Sequence, residues 1–281
     1  MPRVTTSPLL RPSTGALDAL RGLLGPLHFT PREPTERGVR YSRRSRGLAP
    51  LADVYLPDRP GPRPSVVLVH GGGFVVGSRS MKPMRLLATR FAEAGYAAVT
   101  FDYRMIFRGG RLDESVGDVE DMVGFWHASS TRYGLDDDRV ALMGLSAGAA
   151  LAVLAASVLK RELVERLVCV FGVYDFAALE GRRAALLRRL LLETDERAEW
   201  RRRSPLEASD RVPQPMLLVH GTGDRLVPVE HTRTLHERRL ERGLPVAARY
   251  VEGAPHGFFN DPRHAAAAAE ALEATLHFLA C

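Results

Sequence analysis

The chain has 281 residues, 45% hydrophobic and 26% charged, a composition that suits one large globular domain or two small ones and excludes disordered, collagen-like and fibrous classes. Its +6 net charge sits at the front: residues 1–48 hold nine Arg against three Asp or Glu, so the body is neutral and no nucleic-acid partner is expected. No run approaches the ~18 apolar residues of a membrane span, no secretory leader is read in the first thirty residues, and the cysteine pair Cys169 and Cys281 cannot build a disulfide framework, so a cytoplasmic location is expected.

Eleven of the 19 prolines fall in residues 1–64 and none between Met84 and Pro205, which predicts a loop-rich lead and a packed core behind it. Residues 1–37 read as a basic, proline-rich arm with one short helix. Ala16, Leu17, Leu20, Leu23, Leu24 and Leu27 share its apolar face, between a cap at Ser13 or Thr14 and a stop at Gly25-Pro26. That helix either packs on the domain, covers an active site as a cap element, or lies on a membrane surface.

Residues 38–281 read as the main domain. Val39–Arg43 and Ala52–Leu56 are candidate strands for an antiparallel start to a sheet. Then β-branched runs alternate with helical patterns: strand 66–69, a helix from Pro83 to Gly95, strand 97–101, a helix striped by Val116, Val119, Val123 and Trp126 ending near Gly134, and strand 140–143. Strands 168–171, 216–219 and 249–251 and a C-terminal helix from about His264 to Leu279 complete the series. Strands without polar alternation are buried on both faces, as parallel central strands are, so the rhythm predicts an α/β fold around a mostly parallel sheet.

The chemistry lies where these strands end, which is where open α/β sheets place their sites. Strand 140–143 runs into Gly144-Leu145-Ser146-Ala147-Gly148 and then a small-residue helix. A strand, a G-x-S-x-G turn and a helix together predict a nucleophile elbow, with Ser146 exposed on a strained turn. Serine needs a base, and the base needs an orienting group. His220-Gly221-Thr222-Gly223-Asp224 follows strand 216–219, and Pro255-His256-Gly257-Phe258 follows strand 249–251. Ser146, Asp224 and His256 thus stand at three strand ends in the order nucleophile, acid, base; Asp102 and Asp261 are rival acids. His70-Gly71-Gly72-Gly73-Phe74, after strand 66–69, supplies flexible backbone for an oxyanion hole from the amides of Gly72 and Gly73 with that of Ala147, and His70 reads as a structural residue fixing the loop.

These four segments resemble the hormone-sensitive-lipase-like esterases of the α/β-hydrolase superfamily, over about residues 65–281. The resemblance implies an α/β-hydrolase fold, a mostly parallel eight-stranded sheet flanked by helices with a small helical cap, and carboxylic-ester hydrolysis without cofactor. It assigns Ser146 as nucleophile, His256 as base, Asp224 as acid, and Gly72, Gly73 and Ala147 as oxyanion donors. The chain departs from the G-D-S-A-G-G and Y-R-L-A-P-E patterns at Leu145, Ala149 and Met105-Ile106-Phe107. Those departures favour the related acetyl-esterase and kynurenine-formamidase-like branch.

The long stretch 174–213 after strand 168–171 is the expected cap insertion. Phe74 and Tyr174 are the candidate substrate-binding residues, crowding the space beside Ser146 to leave a short acyl pocket. Arg182, Arg183, Arg188 and Arg189 read as a solvated face interleaved with acids. His231 and His236 are off a common helical face, and no metal is expected. The reading is a serine hydrolase acting on a small-molecule ester, with self-association into a homo-oligomer left open. An arylformamidase-type amidase or a lactonase is the alternative within enzymes. A non-catalytic receptor on the same fold is the alternative outside them, disfavoured because His256 is kept.

Overall fold

The computed structural model describes residues 15, 22, 23, 25, 27 and 29–281, so most of the helix expected in the arm, with Ala16, Leu17, Leu20, Leu24 and its caps, lies outside the described residues. Leu27 is exposed and does not extend the apolar face.

Eight strands form one sheet: β1 (Glu36–Arg40), β2 (Leu51–Tyr55), β3 (Arg63–Val69), β4 (Ala97–Phe101), β5 (Leu135–Leu145), β6 (Arg166–Val170), β7 (Met216–Gly221) and β8 (Val246–Val251). Their spatial order is β1-β2-β4-β3-β5-β6-β7-β8. β1 pairs antiparallel with β2 and β2 with β4, while every other pairing is parallel. The fold is the eight-stranded, mostly parallel α/β sheet that the alternating runs predict.

Because side chains alternate along a strand, each apolar run feeds two cores. Val67, Val69 and Leu142 belong to one, which is filled by α2 (Leu112–Ala128) and α4 (Ala147–Ala156). Val66, Leu68, Ala141 and Met143 belong to the other, covered by α1 (Lys82–Glu93) and α9 (Ala265–Ala280). The small residues of α4 let it sink against the sheet, with Leu154 alone of its ten residues only partly buried. The second helical stripe ends near Gly134 as expected, but in two pieces. α2 stops at Ala128, and a single turn, α3 (Ser130–Tyr133), closes on Gly134 in the left-handed region. β5 begins earlier than its apolar run, because Leu135 pairs with Arg63 across a polar stretch.

The 174–213 stretch carries three helices joined by short loops, α5 (Gly181–Leu192), α6 (Arg197–Arg202) and α7 (Pro205–Ala208). Arg188 corrects the solvated reading of this face. It is buried, its guanidinium 4.2 Å from the Trp200 ring centroid and donating to the Leu179 carbonyl. Arg189 is exposed as expected, and nothing is described of the Arg182 and Arg183 side chains. α8 (Glu230–Glu241), for which no helix was expected, buries only His231, Thr232, Leu235 and Arg239, too few to write a clear apolar stripe.

Candidate active site

Ser146 stands between β5 and α4 with φ 54° and ψ −118°, a conformation that costs a non-glycine residue about 1–3 kcal/mol and persists only where its surroundings impose it. The surroundings are close. A Cβ on Gly148 would lie 2.3 Å from the Val69 carbonyl oxygen, and one on Gly144 would lie 2.2 Å from that of Gly148. Only glycine at both positions lets strand, turn and helix pass at this distance. The Ser146 amide donates to the Val170 carbonyl at 2.9 Å, which ties the turn to β6.

His256, in the loop after β8, places Nε2 3.0 Å from Ser146 Oγ. Its Nδ1 lies 2.7 Å from Asp224 Oδ2. A carboxylate only accepts, so Nδ1 carries the proton and Nε2 turns its lone pair to the serine hydroxyl. Asp224 Oδ1 accepts from the amides of Leu226 and Val227, each at 2.9 Å. Burial pushes the Asp224 carboxyl up, but hydrogen bonds from His220 and His256 outweigh it and hold the group well below the usual carboxylate range. The three residues expected from separate strand ends therefore meet in one hydrogen-bonded line, an arrangement that can activate a hydroxyl as nucleophile. The rival acids are committed elsewhere: Asp102 to Arg79 and Asp261 to Arg263.

The glycine loop lies beside the serine, since a Cβ on Gly71 would be 3.2 Å from that of Ser146. Gly72, at φ +119°, accepts from the amides of Val75 and Val76 at 3.2 and 3.1 Å, closing the loop on itself. A Cβ there would fall 1.7 Å from the Val76 carbonyl oxygen. The amides of Gly72, Gly73 and Ala147 have no acceptor among the described residues. His70 fixes the loop as expected: its Nδ1 is 2.7 Å from the Gly71 carbonyl and its ring stacks on Tyr103 at 4.2 Å. Burial pushes His70 down to about 4, so the ring is neutral near pH 7.

Tyr174 departs from the expectation. It is fully buried in the core beside Cys169 and Thr232, its ring folded back against Gly172, and it presents no surface to a substrate. Phe176 instead meets Phe74, edge to face at 6.1 Å. Phe74, the other residue expected to bind substrate, is itself buried, at 2% exposure, with φ +63°. Two contacts went unforeseen. Phe171, at the end of β6, sets its ring 4.8 Å from that of His256. His220, at the end of β7, reaches Asp224 Oδ2 at 3.2 Å. The only local signal for either is its place at the end of an apolar strand.

Gly15 and Gly22 also reach this end of the sheet. A Cβ on Gly15 would lie 3.2 Å from the Arg225 backbone, next to Asp224, and one on Gly22 would lie 3.2 Å from the Asn260 side chain, beyond His256. Lys82 Nζ donates to the carbonyls of Gly22 and Asn260, at 2.5 and 3.1 Å.

The sheet and the group of residues at its carboxyl end are those of an α/β-hydrolase, and the relatives of the chain make it a carboxylic ester hydrolase. It belongs to the BD-FAE family, whose model matches residues 52–239, within the hormone-sensitive-lipase-like esterase branch that its motifs resemble. It is similar to Esterase LipC of Mycobacterium tuberculosis, 29% identical over 279 residues, covering 85% of this chain and 68% of LipC. It is 28% identical over 242 residues to the probable carboxylic ester hydrolase LipM of the same bacterium, covering 79% of this chain but 55% of LipM. Among solved structures, Est2 of Thermogutta terrifontis, an esterase with propionate bound, superposes with a TM-score of 0.70 at 25% identity, covering 87% of this chain and 93% of that one. Among the described residues, no helix is long and apolar enough to cross a membrane.

Proposed function

We propose that the chain hydrolyses small carboxylic esters with short acyl chains through an acyl-enzyme on Ser146. His256 takes the hydroxyl proton as Ser146 attacks the carbonyl, gives it to the leaving alcohol, and then activates the water that releases the acid. Asp224 orients His256 and stabilises its imidazolium. The amides of Gly72, Gly73 and Ala147 receive the oxyanion. The observation that carries this reading is the 3.0 Å contact of His256 Nε2 with Ser146 Oγ, in line with the 2.7 Å contact to Asp224.

The short acyl preference is supported by the propionate in the Est2 relative. Residues 174–213 and the arm 1–37 act as two sides of a cap, a reading supported by the helices of the first and by the seats of Gly15 and Gly22. The substrate is a small molecule met in a reducing cytoplasm, where Cys169 and Cys281 remain free thiols. A p-nitrophenyl ester series from two to sixteen acyl carbons tests the reading, with formanilides and lactones as further arms. Each methylene that fits adds up to ~0.8 kcal/mol of burial and one that clashes adds strain, so kcat/KM peaks sharply, at acetyl to hexanoyl esters. An optimum at twelve carbons or beyond, or faster turnover of the anilide or lactone, refutes it.

A further inference from the structure

We infer that His220 is a positioning residue for the acid of this site: a second, buried imidazole that donates to the same carboxylate oxygen as His256 and fixes the direction of Asp224. The inference rests on the proposed role of Asp224 and goes beyond it.

His220 is fully buried, next to last in β7. Its Nε2 lies 3.2 Å from Asp224 Oδ2 and 3.0 Å from the Val227 carbonyl oxygen. Both of those atoms only accept, so Nε2 carries a proton shared between them. Its Nδ1 lies 2.6 Å from Thr232 Oγ1, on α8. The Thr232 hydroxyl donates there, so a neutral ring with its proton on Nε2 satisfies every contact without burying a charge.

The consequence for Asp224 follows from counting donors. Oδ2 receives N–H groups from His256 and His220, and Oδ1 receives the amides of Leu226 and Val227. An ionised carboxylate has about four lone-pair sites, and this one has four donors around it. Rotating the carboxylate would break all four together, so Oδ2 stays aimed at His256 Nδ1. His220 also holds the Val227 carbonyl, whose own amide is one of those donors, and so closes the acid and its loop into a ring. Without His220, Oδ2 keeps His256 alone, and the direction of the imidazole loosens with it.

Steady-state kinetics on p-nitrophenyl butyrate test this, with His220→Leu and His220→Gln made in the wild type and on an Asp224→Asn background. His220→Leu is expected to lose about 10–100-fold in kcat with KM within about twofold, as is typical when a group that orients a reacting residue is removed. His220→Gln, whose carboxamide still donates, is expected to recover most of that loss. On the Asp224→Asn background, His220→Leu is expected to cost nothing more, because groups that act as a unit are not additive. Retention of more than half of kcat by His220→Leu, no recovery by His220→Gln, or an undiminished loss on the Asp224→Asn background would overturn the inference. If His220→Leu does not fold, Thr232→Val decides: it removes the hydroxyl that fixes the tautomer, so a fall in kcat supports the inference and an unchanged kcat refutes it. Wild-type activity in Asp224→Asn alone is a different result, which refutes the proposed triad itself.

Discussion

Asp224, Asp102 and Asp261 are the same side chain with three different duties. Asp224 is bonded to His256 Nδ1. Asp102 joins Asp53 in holding Arg79, and Asp261 holds Arg263 while capping a short turn. Replacing the acid of a triad by Asn favours the wrong tautomer of the base and costs about 10⁴ in kcat. Asp224→Asn should therefore be crippled while Asp261→Asn keeps near-normal turnover, and the reverse ranking in an ester assay moves the acid elsewhere. His70 gives a prediction in pH. Burial lowers it to about 4 from an ordinary 6.5, so the unfolded chain binds the proton more tightly than the folded one. Stability from this group is complete above about pH 6.5 and is lost as pH falls toward 4, roughly 3 kcal/mol at ~1.4 kcal/mol per pH unit. Melting curves across that window should show a steeper loss for wild type than for His70→Gln, and equal slopes would contradict the buried neutral ring. Ser146, Asp224, His256 and the glycines were legible because each sits in a short motif at a strand end. His220, Phe171 and Tyr174 were not, because their roles depend on partners brought close by the sheet, such as Thr232 for His220 and His256 for Phe171.

The elbow and the helix behind it show what glycine does in two settings. Gly148 faces the Val69 carbonyl with no room for a methyl group, so Gly148→Ala must shift β3 or the Ser146 turn. Loss of most esterase activity with a lower melting temperature is expected; an active, equally stable variant would show that the elbow does not need this close approach. Gly117 lies within α2, where an added Cβ meets nothing within 4 Å. Gly117→Ala should raise stability by about 0.5–1 kcal/mol through helix propensity and the unfolded chain, read from denaturant unfolding, with activity unchanged. Elements with strong patterns were readable for the same physical reason that they form. The central strands are apolar on both faces, α1 and α2 carry clear stripes, and α4 is a run of small residues behind the turn. The start of β5 was not readable, because Leu135 is fixed by pairing with Arg63 across the sheet while Asp136, Asp137 and Asp138 fall in the register shift before Val140 meets Ser65, and α8 was missed because it buries so little.

At the scale of the molecule, one sheet gathers at its carboxyl end residues that are far apart in the chain. Ser146 and His256 are 110 positions apart and in hydrogen-bond contact. Gly15 and Gly22 are seated on this same end, with Lys82 bonded to both the Gly22 and Asn260 carbonyls. Removing residues 1–28 should therefore raise KM for a short ester and lower the melting temperature, and unchanged values for both would separate the arm from the site. The fold and the meeting of Ser146, His256 and Asp224 were open to sequence because an α/β rhythm and three motifs specify them. The seat of the arm was not, since it depends on a backbone carbonyl meeting a lysine across the fold. The central claim is that Ser146 is the nucleophile, and the measurement that tests it most directly is labelling with a fluorophosphonate ester followed by peptide mapping. One adduct per chain on Ser146 is expected, with esterase activity lost in proportion, and Ser146→Ala should take up no label and lose about 10⁴–10⁶ in kcat while keeping its melting temperature. Turnover that persists after complete labelling, or more than about a tenth of wild-type activity in Ser146→Ala, would contradict it.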